Sequence, residues 1–403
     1  MSLLPVDEAQ ARLLALATPL PAVPTPLAQA IGRYLAEPLV ARRDQPWTDL
    51  SAMDGYAVRH ADLPGPWTLT GEMAAGGVPG THRVEPGTTM RIFTGAPMPP
   101  GADTVVLQED VSAEGATIRM TGDGPGAQGR HVRPRASDFG IGDPLLDAGT
   151  RLGPPQIALA ALAGHAELSI RARPRIKILS TGDELVTPGA PCPPGKLPAS
   201  NGIMLRAMIE GAGGLIAGEH LIPDDLATLT QALRDAGDDA DIIVTSGGAS
   251  VGDHDLVRPA LEAAGGSIDF WRIAMRPGKP LIVGRLGGAI LIGLPGNPVS
   301  ALVTGALFLL PLVRHLAGST HPLPRPRAAR LGTDMDAVGK RTDFIRARLD
   351  EHGIATPIGF QDSAAMRAAA QANALILRPA GSPAAAKGSE TLVLDWPTLG
   401  LTG

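Results

Sequence analysis

The sequence predicts a multidomain protein that combines a doubly wound α/β domain with β-rich domains. Between residues 175 and 318, short apolar runs alternate with helical segments of about ten to twelve residues, a pattern typical of a mostly parallel sheet. From residue 42 to 140, and again after residue 320, short apolar runs are separated by Gly, Pro and Asp turns, which predicts small β-rich domains. The length of 403 residues also favours several domains over one.

The composition is that of an ordinary globular protein. Hydrophobic residues make up 44% of the chain and charged residues 19%, which separates it from disordered proteins. Aromatic residues are only 3%, so we expect cores of Leu, Val, Ile and Ala. The net charge is −5 and no basic tract occurs, so we expect no nucleic-acid partner.

Three features bear on location and redox chemistry. Cys192 is the single cysteine, which excludes an internal disulfide and a multi-cysteine metal cluster. The N-terminus has no basic segment followed by an apolar core, so we expect no signal peptide. The apolar run from Val299 to Leu316 is interrupted by Pro311, so we expect a buried helix and no membrane span. We therefore predict a cytoplasmic protein.

The first 140 residues predict helices followed by strands. Helical spacing of apolar residues predicts a helix from Val6 to Leu20 and a second from Leu27 to Leu35. Strands are expected at Trp67–Thr70, Thr89–Phe93, Thr104–Leu107 and Ala116–Met120. Two polar segments stand beside them, SAMDGYAV with Asp54 and RIFTGAPMPP with Thr94. On spacing alone, a simple hairpin turn explains the Asp-Gly pair best.

The segment GRHVRPRASD, residues 129–138, allows two interpretations. Alternating arginines in an extended segment place several guanidinium groups on one face, which suits an oxyanion. A solvated linker at a domain boundary explains the same composition equally well. The arginines concerned are Arg130, Arg133 and Arg135.

The α/β region has capping signals as well as strand signals. We expect strands at Arg175–Thr181, Leu215–Gly218, Ile242–Thr245, Leu281–Val283 and Ile290–Ile292. Helices are predicted from Asn201 as N-cap to Glu210 with Gly211 beyond its end, from Asp224 or Asp225 to Gly237, from Asp255 to Ala264, and after Asn297 with Pro298 in the first turn.

Glycine and acidic residues follow these strands. The stretch DIIVTSGGASVGDHD, residues 241–255, passes from a strand into a glycine loop, and such loops present backbone N–H groups to anionic ligands. Oxygen ligands for Mg²⁺ are available at Asp183, Glu184, Asp224, Asp253 and Asp255. Neither a P-loop nor a Gly-x-Ser-x-Gly motif occurs. The residues predict a site for a phosphate-bearing ligand with Mg²⁺.

Six motifs together resemble one family. STGDEL (180–185), SGGASVGDHD (246–255), MRPGKP (275–280) and GLPGNPVSALV (293–303) are similar to the molybdopterin-binding domain. SAMDGYAV and RIFTGAPMPPGADTVV resemble segments of the molybdopterin molybdenumtransferase (MoeA) family, which is related to the C-terminal part of gephyrin and to the plant Cnx1 E domain. The match runs in order over nearly the whole chain.

The resemblance implies a fold and an assembly. Residues 1–41 and 141–172 would form a discontinuous N-terminal domain, with a β-rich domain, 42–140, inserted into it. A molybdopterin-binding α/β domain, 173–318, and a C-terminal β-barrel, 319–403, would follow. The family forms homodimers in which the inserted domain of one subunit faces the α/β domain of the other, so the active site would be shared.

The implied reaction is the insertion of molybdate into adenylylated molybdopterin. Hydrolysis of the adenylyl group with Mg²⁺ would release AMP and molybdenum cofactor. The implied partners are the molybdopterin adenylyltransferase and the chaperones of molybdoenzymes.

The resemblance also implies roles for individual residues. Catalytic roles fall to Asp54, Glu184, Asp255 and Lys279, of which the three acids would hold Mg²⁺. Molybdate would be bound by Lys279, Ser300, Arg346 and Ser363. Other substrate contacts would come from Thr94, Arg133, Asp138, Asp224, Ser246, Gly247, Gly248, Arg272, Arg276, Pro295, Gly296, Asn297 and Ser300.

The chain departs from the family pattern at several positions. Arg272 and Arg276 stand where lysine is common, so charge is kept while a compact ammonium becomes a planar guanidinium. Ala199 replaces a common acid before Ser200-Asn201, Ala136-Ser137-Asp138 replaces Gly-Glu-Asp, and Ala369 stands where serine is frequent.

Two other functions fit the same domains. One is adenylylation of molybdopterin from ATP, against which the inserted domain and the tail argue. The other is a scaffold that has lost activity, against which the retained acids and Lys279 argue.

Overall fold

The computed structural model describes residues 3–78, 80, 82–248 and 256–401. Its centre is a six-stranded sheet in which four parallel strands are extended by two antiparallel ones. The strand order across the sheet is Leu215–Ile222, Arg175–Thr181, Ile242–Ser246, Ala289–Leu294, Ile282–Leu286 and Ser267–Trp271. The predicted mostly parallel sheet is confirmed, and the edge strand Ser267–Trp271 is an addition that the apolar pattern did not reveal.

Helices cover both faces of this sheet, because its central strands are apolar on both sides. Ile176, Ile178 and Val244 pack into one core, and Leu179 and Ile243 pack into the other. The helices are Ser200–Gly211, Leu226–Gly237, Val257–Ala263, Pro298–Thr304 and Leu310–Leu316, the last two joined by a π-helical turn at Gly305–Leu309.

One helix start differs from the capping prediction, and another confirms one of the two caps that were predicted for it. Ala199 occupies the N-cap position of Ser200–Gly211 and makes no side-chain capping bond. Asn201 lies inside the first turn, and Gly211 lies inside the last, since the left-handed residue is Gly213 at φ +90°. Asp225 caps the next helix, with its carboxylate accepting a 2.7 Å hydrogen bond from the Thr228 N–H. Asp224 is therefore not needed as a cap.

The first helix, Val6–Ala15, packs on the α/β domain. Ala9 and Leu13 are buried in the same core as Ile176 and Leu307. Arg12 also pairs with Asp269 on the edge strand at 3.0 Å. This helix thus packs against the α/β domain although it lies in the segment 1–41 assigned to the discontinuous N-terminal domain.

The predicted helix from Leu27 to Leu35 is wrong, because the structure has no α-helix over these residues. Ala22–Pro26 is a strand that pairs antiparallel with Glu167–Arg171, followed by one 3-10 turn at Leu27–Gln29. Prolines without N–H groups at positions 24 and 26 suit a strand edge better than a helix. The N-terminal region is completed by the strand pair Leu39–Val40 with Pro144–Leu146 and by the helix Pro154–Leu162.

The inserted β-rich region contains a second six-stranded sheet. Its strand order is Thr104–Leu107, Gly55–Val58, Thr88–Ile92, Trp67–Met73, Thr117–Met120 and Val111–Glu114. One core contains Met90 and Ile92, and the other contains Trp67 and Ile118. A short strand pair, Leu50–Ser51 with Val132–Arg133, and 3-10 turns at His60–Asp62 and Gln108–Asp110 complete it.

The tail forms a closed five-stranded barrel. Around it run Arg327–Leu331, Glu390–Asp395, Ala374–Arg378, Thr342–Leu349 and Ile354–Pro357, and the last strand pairs again with the first. Two short helices, Met366–Gln371 and Trp396–Leu399, were not predicted. Met275–Arg276, which leaves the α/β domain, pairs in parallel with Thr342–Asp343 and ties the barrel to it.

The helical stretch Pro298–Leu316 is long and apolar enough to cross a membrane, but 83% of its most apolar window is buried inside the protein. The burial agrees with the prediction of a core helix. Pro311 cannot donate to the carbonyl of Leu307, and the side-chain amide of Gln10 donates to that oxygen at 2.8 Å. The first helix is therefore also a hydrogen-bond partner of the buried one.

Candidate functional site

The carboxyl ends of the parallel strands border a cleft of about 760 Å³, here called the strand-end cleft. In an open α/β sheet this is the edge at which ligands bind. Its residues come from several loops and from the first turn of helix Ser200–Gly211. They include Ser180, Thr181, Glu184, Asn201, Asp224, Ser246, Gly247, Gly248, Pro295, Gly296 and Asn297.

Gly247 is the point at which three of these loops meet. It has φ +101°, and a Cβ atom built on it would lie 2.4 Å from the carbonyl oxygen of Thr181. From the other side, a Cβ on Gly296 would lie 3.6 Å from the Gly247 Cα. Only a residue without a side chain fits this conformation and this spacing.

The acidic residues of the cleft are not all free. Asp183 and Asp224 exchange hydrogen bonds, in which the Asp183 N–H donates to Asp224 at 3.2 Å and the Asp224 N–H donates to Asp183 at 3.1 Å. The Lys196 ammonium donates to the Asp183 carbonyl oxygen at 2.6 Å. Glu184 and Asp224 line the cleft, whereas Asp183 does not. These contacts fix the loop that carries Glu184.

A second cleft of about 720 Å³ lies between the α/β domain and the barrel and is here called the barrel-side cleft. Pro280 lines both clefts. All four residues expected to bind molybdate line the barrel-side cleft, namely Lys279, Ser300, Arg346 and Ser363. The structure thus brings together residues that are up to 84 positions apart in sequence (363 − 279).

These four side chains differ in how they are held. Within the described ranges, the Lys279 ammonium makes no ion pair, and Ser300 is buried at the wall. Arg346 is 2% exposed and donates 3.0 Å hydrogen bonds to the carbonyls of Phe360 and Asp362, and its burial lowers the pKa of the guanidinium. Arg346 therefore holds the loop that carries Ser363.

The loop that carries Ser363 connects the two clefts. The Asn297 side-chain amide donates to the Ser363 hydroxyl at 3.0 Å, and the Val299 N–H donates to the Ser363 carbonyl at 3.0 Å. Asn297 stands at the predicted N-cap position, but its side chain makes this contact and no capping bond. Ser363 is consequently positioned against the start of helix Pro298–Thr304.

The two arginines that replace common lysines do not behave alike. Arg276 lines the barrel-side cleft and forms an ion pair with Asp343 of the barrel. Arg272 lines neither cleft, and its backbone takes φ +81°, a value that non-glycine residues rarely adopt. Its carbonyl accepts a 3.2 Å hydrogen bond from the Leu4 N–H. Arg272 therefore lies outside both clefts, and its contact with substrate stays a prediction.

A separate group forms on the inserted domain. The carboxylate of Asp54 accepts hydrogen bonds from the Thr94 N–H at 2.7 Å and from the Thr94 hydroxyl at 2.8 Å. These bonds, with Arg91 nearby, lower the pKa of Asp54. Arg133 lies next to this group through the pairing of Val132 with Ser51. Asp54 is therefore held in its ionised form.

This group lies apart from the two clefts. Asp54, Thr94, Arg133 and Asp138 line neither cleft of the same chain. The carboxylate of Asp54 is engaged within its own domain, which places it in more than a simple hairpin turn. This group therefore lies outside both clefts as the described residues define them.

The metal site stays a prediction. Among the residues that the structure describes, no group of three or more His, Cys, Asp or Glu side chains is arranged to hold a metal ion. Asp255 and Asp253 lie outside the described residues. Glu184 and Asp224 remain as carboxylates at the strand-end cleft.

Several residues of the strand-end cleft were not predicted as site residues, among them three with polar side chains. Ser180, Thr181 and Asn201 line it. A signal for the first two existed, since STGDEL places two hydroxyl residues at the end of a strand. Asn201 was interpreted as a helix cap, which obscured it.

Comparison with protein families covers most of the chain. Residues 4–164 match the MoeA N-terminal region (domain I and II), residues 177–315 match a probable molybdopterin binding domain, and residues 328–396 match the MoeA C-terminal region (domain IV).

Curated relatives match over nearly their full length. Molybdopterin molybdenumtransferase 2 of Mycobacterium tuberculosis is 36% identical over 388 residues, which cover 93% of this chain and 95% of the relative. Molybdopterin molybdenumtransferase of Nostoc sp. is 36% identical over 386 residues, covering 91% of this chain and 87% of the relative.

A solved structure agrees in architecture. The molybdopterin biosynthesis MoeA protein of Pyrococcus horikoshii superposes with a TM-score of 0.84 at 29% identity, over 98% of this chain and 99% of that one. The multidomain arrangement of this chain is thus shared over its whole length.

Substituting Thr94 tests the environment of Asp54. Thr94→Val removes the hydroxyl donor and keeps the backbone donor, so the pKa of Asp54 should rise toward its ordinary value. A lowered pKa stabilises the fold above the unfolded-state pKa, and this contribution is lost as pH falls through the folded-state pKa. As pH falls, the Thr94→Val variant should lose this contribution to stability at a higher pH than the wild type does. NMR titration of the ¹³C-labelled carboxyl group measures the shift, and an unchanged pKa would contradict the assignment.

Substituting Gly247 tests the close approach of the loops. Gly247→Ala should destabilise the fold by about 1–3 kcal/mol, because alanine is strained at φ +101° and its Cβ would overlap the Thr181 carbonyl. Denaturant unfolding measures the change. Gly288→Ala is the matched control, because a Cβ there meets no atom within 4 Å. Equal free energies of unfolding for the two variants would show that the loops accommodate the added methyl group without loss of stability.

Proposed function

The chain belongs to the MoeA family of molybdenum cofactor biosynthesis, and we propose that it is a molybdopterin molybdenumtransferase that inserts molybdate into adenylylated molybdopterin. The observation that carries the proposal is the adjacency of two different clefts. One is lined by glycine loops at strand ends, the other by Lys279 and two serines, and they meet at Pro280.

The strand-end cleft suits the pterin substrate with its phosphates. Backbone N–H groups of glycine loops at the carboxyl edge of a sheet bind anionic groups without needing side chains. Gly247 and Gly296 allow the backbone to approach a ligand closely. In the proposed roles, Ser246, Pro295 and Asn297 shape the same wall.

The barrel-side cleft suits a tetrahedral oxyanion. The ammonium of Lys279 supplies a charge that forms no ion pair with a carboxylate of the described residues, and the hydroxyls of Ser300 and Ser363 supply donors. Arg346 would act by fixing the loop around Ser363, because its guanidinium is already bonded to that loop. Since Lys279 adjoins Pro280, molybdate would be held beside the pterin cleft.

Magnesium fits the strand-end cleft only together with substrate oxygens. The ion commonly takes one or two carboxylates plus substrate phosphates, and Glu184 and Asp224 are carboxylates of this cleft. We propose that Glu184 holds Mg²⁺, with Asp255 of the glycine loop and Asp54 as further ligands. When bound, the ion would neutralise charge on the phosphate that is cleaved. The residues of this chain would orient the adenylyl phosphate and the attacking water beside it.

The position of Asp54 favours a homodimer with a shared active site. Asp54 is ionised, exposed and held by Thr94, yet it lines neither the strand-end cleft nor the barrel-side cleft of its own chain. A second copy would bring this domain to the strand-end cleft. The adenylyltransferase that supplies the substrate, the chaperones that receive the product and a cytoplasmic location are further proposals from the family.

Release of AMP tests the function and the role of Lys279. The wild-type protein should release AMP from adenylylated molybdopterin in a molybdate-dependent way. Lys279→Gln should raise the molybdate concentration for half-maximal rate by about tenfold or more, because a charge-assisted contact is lost. Lys340→Gln, at an exposed position, is the control. Failure of the wild type to release AMP would contradict the assignment and favour a scaffold.

Mixing two inactive variants tests the shared site. Asp54→Ala and Glu184→Ala should each be inactive as purified proteins. After subunit exchange at equal concentrations, about a quarter of wild-type activity should return, since half the dimers carry one intact site. AMP release and sedimentation measure activity and assembly. A mixture that stays inactive although heterodimers form would show that Asp54 and Glu184 do not act in one site across subunits.

A further inference from the structure

The first observation concerns the orientation of Asn201. Its amide nitrogen donates to the Ser246 hydroxyl at 2.8 Å and to the Gly296 carbonyl oxygen at 2.8 Å. A carbonyl oxygen only accepts, so the atom facing Gly296 is the NH₂ group and both of its hydrogens are used. The Asn201 Oδ1 atom must therefore point in the other direction.

The second observation is that this oxygen is buried without a partner in the described part of the protein. The same holds for the hydroxyls of Ser180 and Thr181, residues that are 2% and 5% exposed. All three residues line the strand-end cleft. Buried polar groups are nearly always hydrogen-bonded, so several unpaired ones at one cleft indicate a ligand that completes them.

The chemistry of these groups selects the kind of ligand. Asn201 Oδ1 only accepts, and it therefore needs an N–H or O–H donor. A phosphate oxyanion would instead place its own lone pairs against this atom. Hydroxyls both donate and accept. An acceptor and two hydroxyls at one cleft are complementary to the edge of a heterocycle that carries an amino group next to ring nitrogens and a carbonyl.

We propose that Asn201, with Ser180 and Thr181, binds the donor–acceptor edge of the pterin ring, and that Asn201 Oδ1 accepts a hydrogen bond from its 2-amino group. The inference deepens the proposed function and rests on it. Asn201 also ties the glycine loop at Ser246 to the loop at Gly296. Recognition of the ring is thereby coupled to the position of both loops.

This placement gives the substrate a direction. Ser180 lies beside helix Ser200–Gly211, since a Cβ on Gly202 would be 3.3 Å from its hydroxyl. Thr181 lies against Gly247, with 2.7 Å between its hydroxyl and a Cβ built there. The ring edge would therefore contact the strand ends. The anionic part of the substrate then extends toward Pro280 and the barrel-side cleft.

Two probes separate recognition from a structural role. Pterin carries the 2-amino group, and lumazine carries an oxygen there. Binding of each to the full-length protein is measured by fluorescence or calorimetry. The wild type should prefer pterin by about tenfold, and Asn201→Ala should reduce this ratio to near one. Ile203→Ala, on the exposed face of the same helix, should keep the ratio.

The remaining outcomes decide against the inference. An Asn201→Ala protein that binds both probes more weakly, but keeps the ratio, would show that Asn201 only ties the loops. Equal binding of the two probes by the wild type would also overturn it. Ser180→Ala removes an unpaired hydroxyl and leaves the hydrogen bonds of Asn201 to Ser246 and Gly296 in place. It should weaken the binding of pterin severalfold, and unchanged binding would contradict the role of Ser180. AMP release by the wild type is measured separately, so failure of the proposed function is distinguished.

Discussion

The close approach of backbone loops at Gly247 is the constraint on which the site depends. The carbonyl of Thr181 and the backbone at Gly296 both come so near that no side chain fits at this position. The parallel strands that precede these loops are hydrogen-bonded neighbours, so their carboxyl ends must converge. Packing of the sheet thus creates a cleft whose floor is backbone and small polar side chains.

The barrel-side cleft arises from a different interaction, the pairing of two domains through one segment. Met275–Arg276 leaves the α/β domain and joins the barrel beside Thr342–Asp343, and Arg276 adds an ion pair to Asp343. Gly278 then packs against Thr304 so closely that a Cβ would lie 2.3 Å from its methyl group. Lys279 follows directly and is held between the domains. Its position is a consequence of how the barrel docks.

Motifs could be found in the sequence, but their partners could not. Asp225 and not Asp224 caps a helix, and Asn201 binds neighbouring loops although its residue type suits a cap. In place of the helix expected at Leu27–Leu35 there is one 3-10 turn at Leu27–Gln29, and Tyr34 and Leu35 form isolated bridges to Arg151 and Ile170, contacts far along the chain. Local propensity is a weak prior that such tertiary contacts override.

The sequence by itself determined the family, the α/β and β-rich domains and the glycine loops, because periodicity and ordered motifs are local properties. Only the tertiary structure decided which side chains share a cleft. It joined Lys279, Ser300, Arg346 and Ser363 at the barrel, left Asp54 with Thr94 on the inserted domain, and left the Asn201 oxygen buried without a partner among the described residues. These placements depend on contacts between residues distant in sequence, which no local pattern encodes.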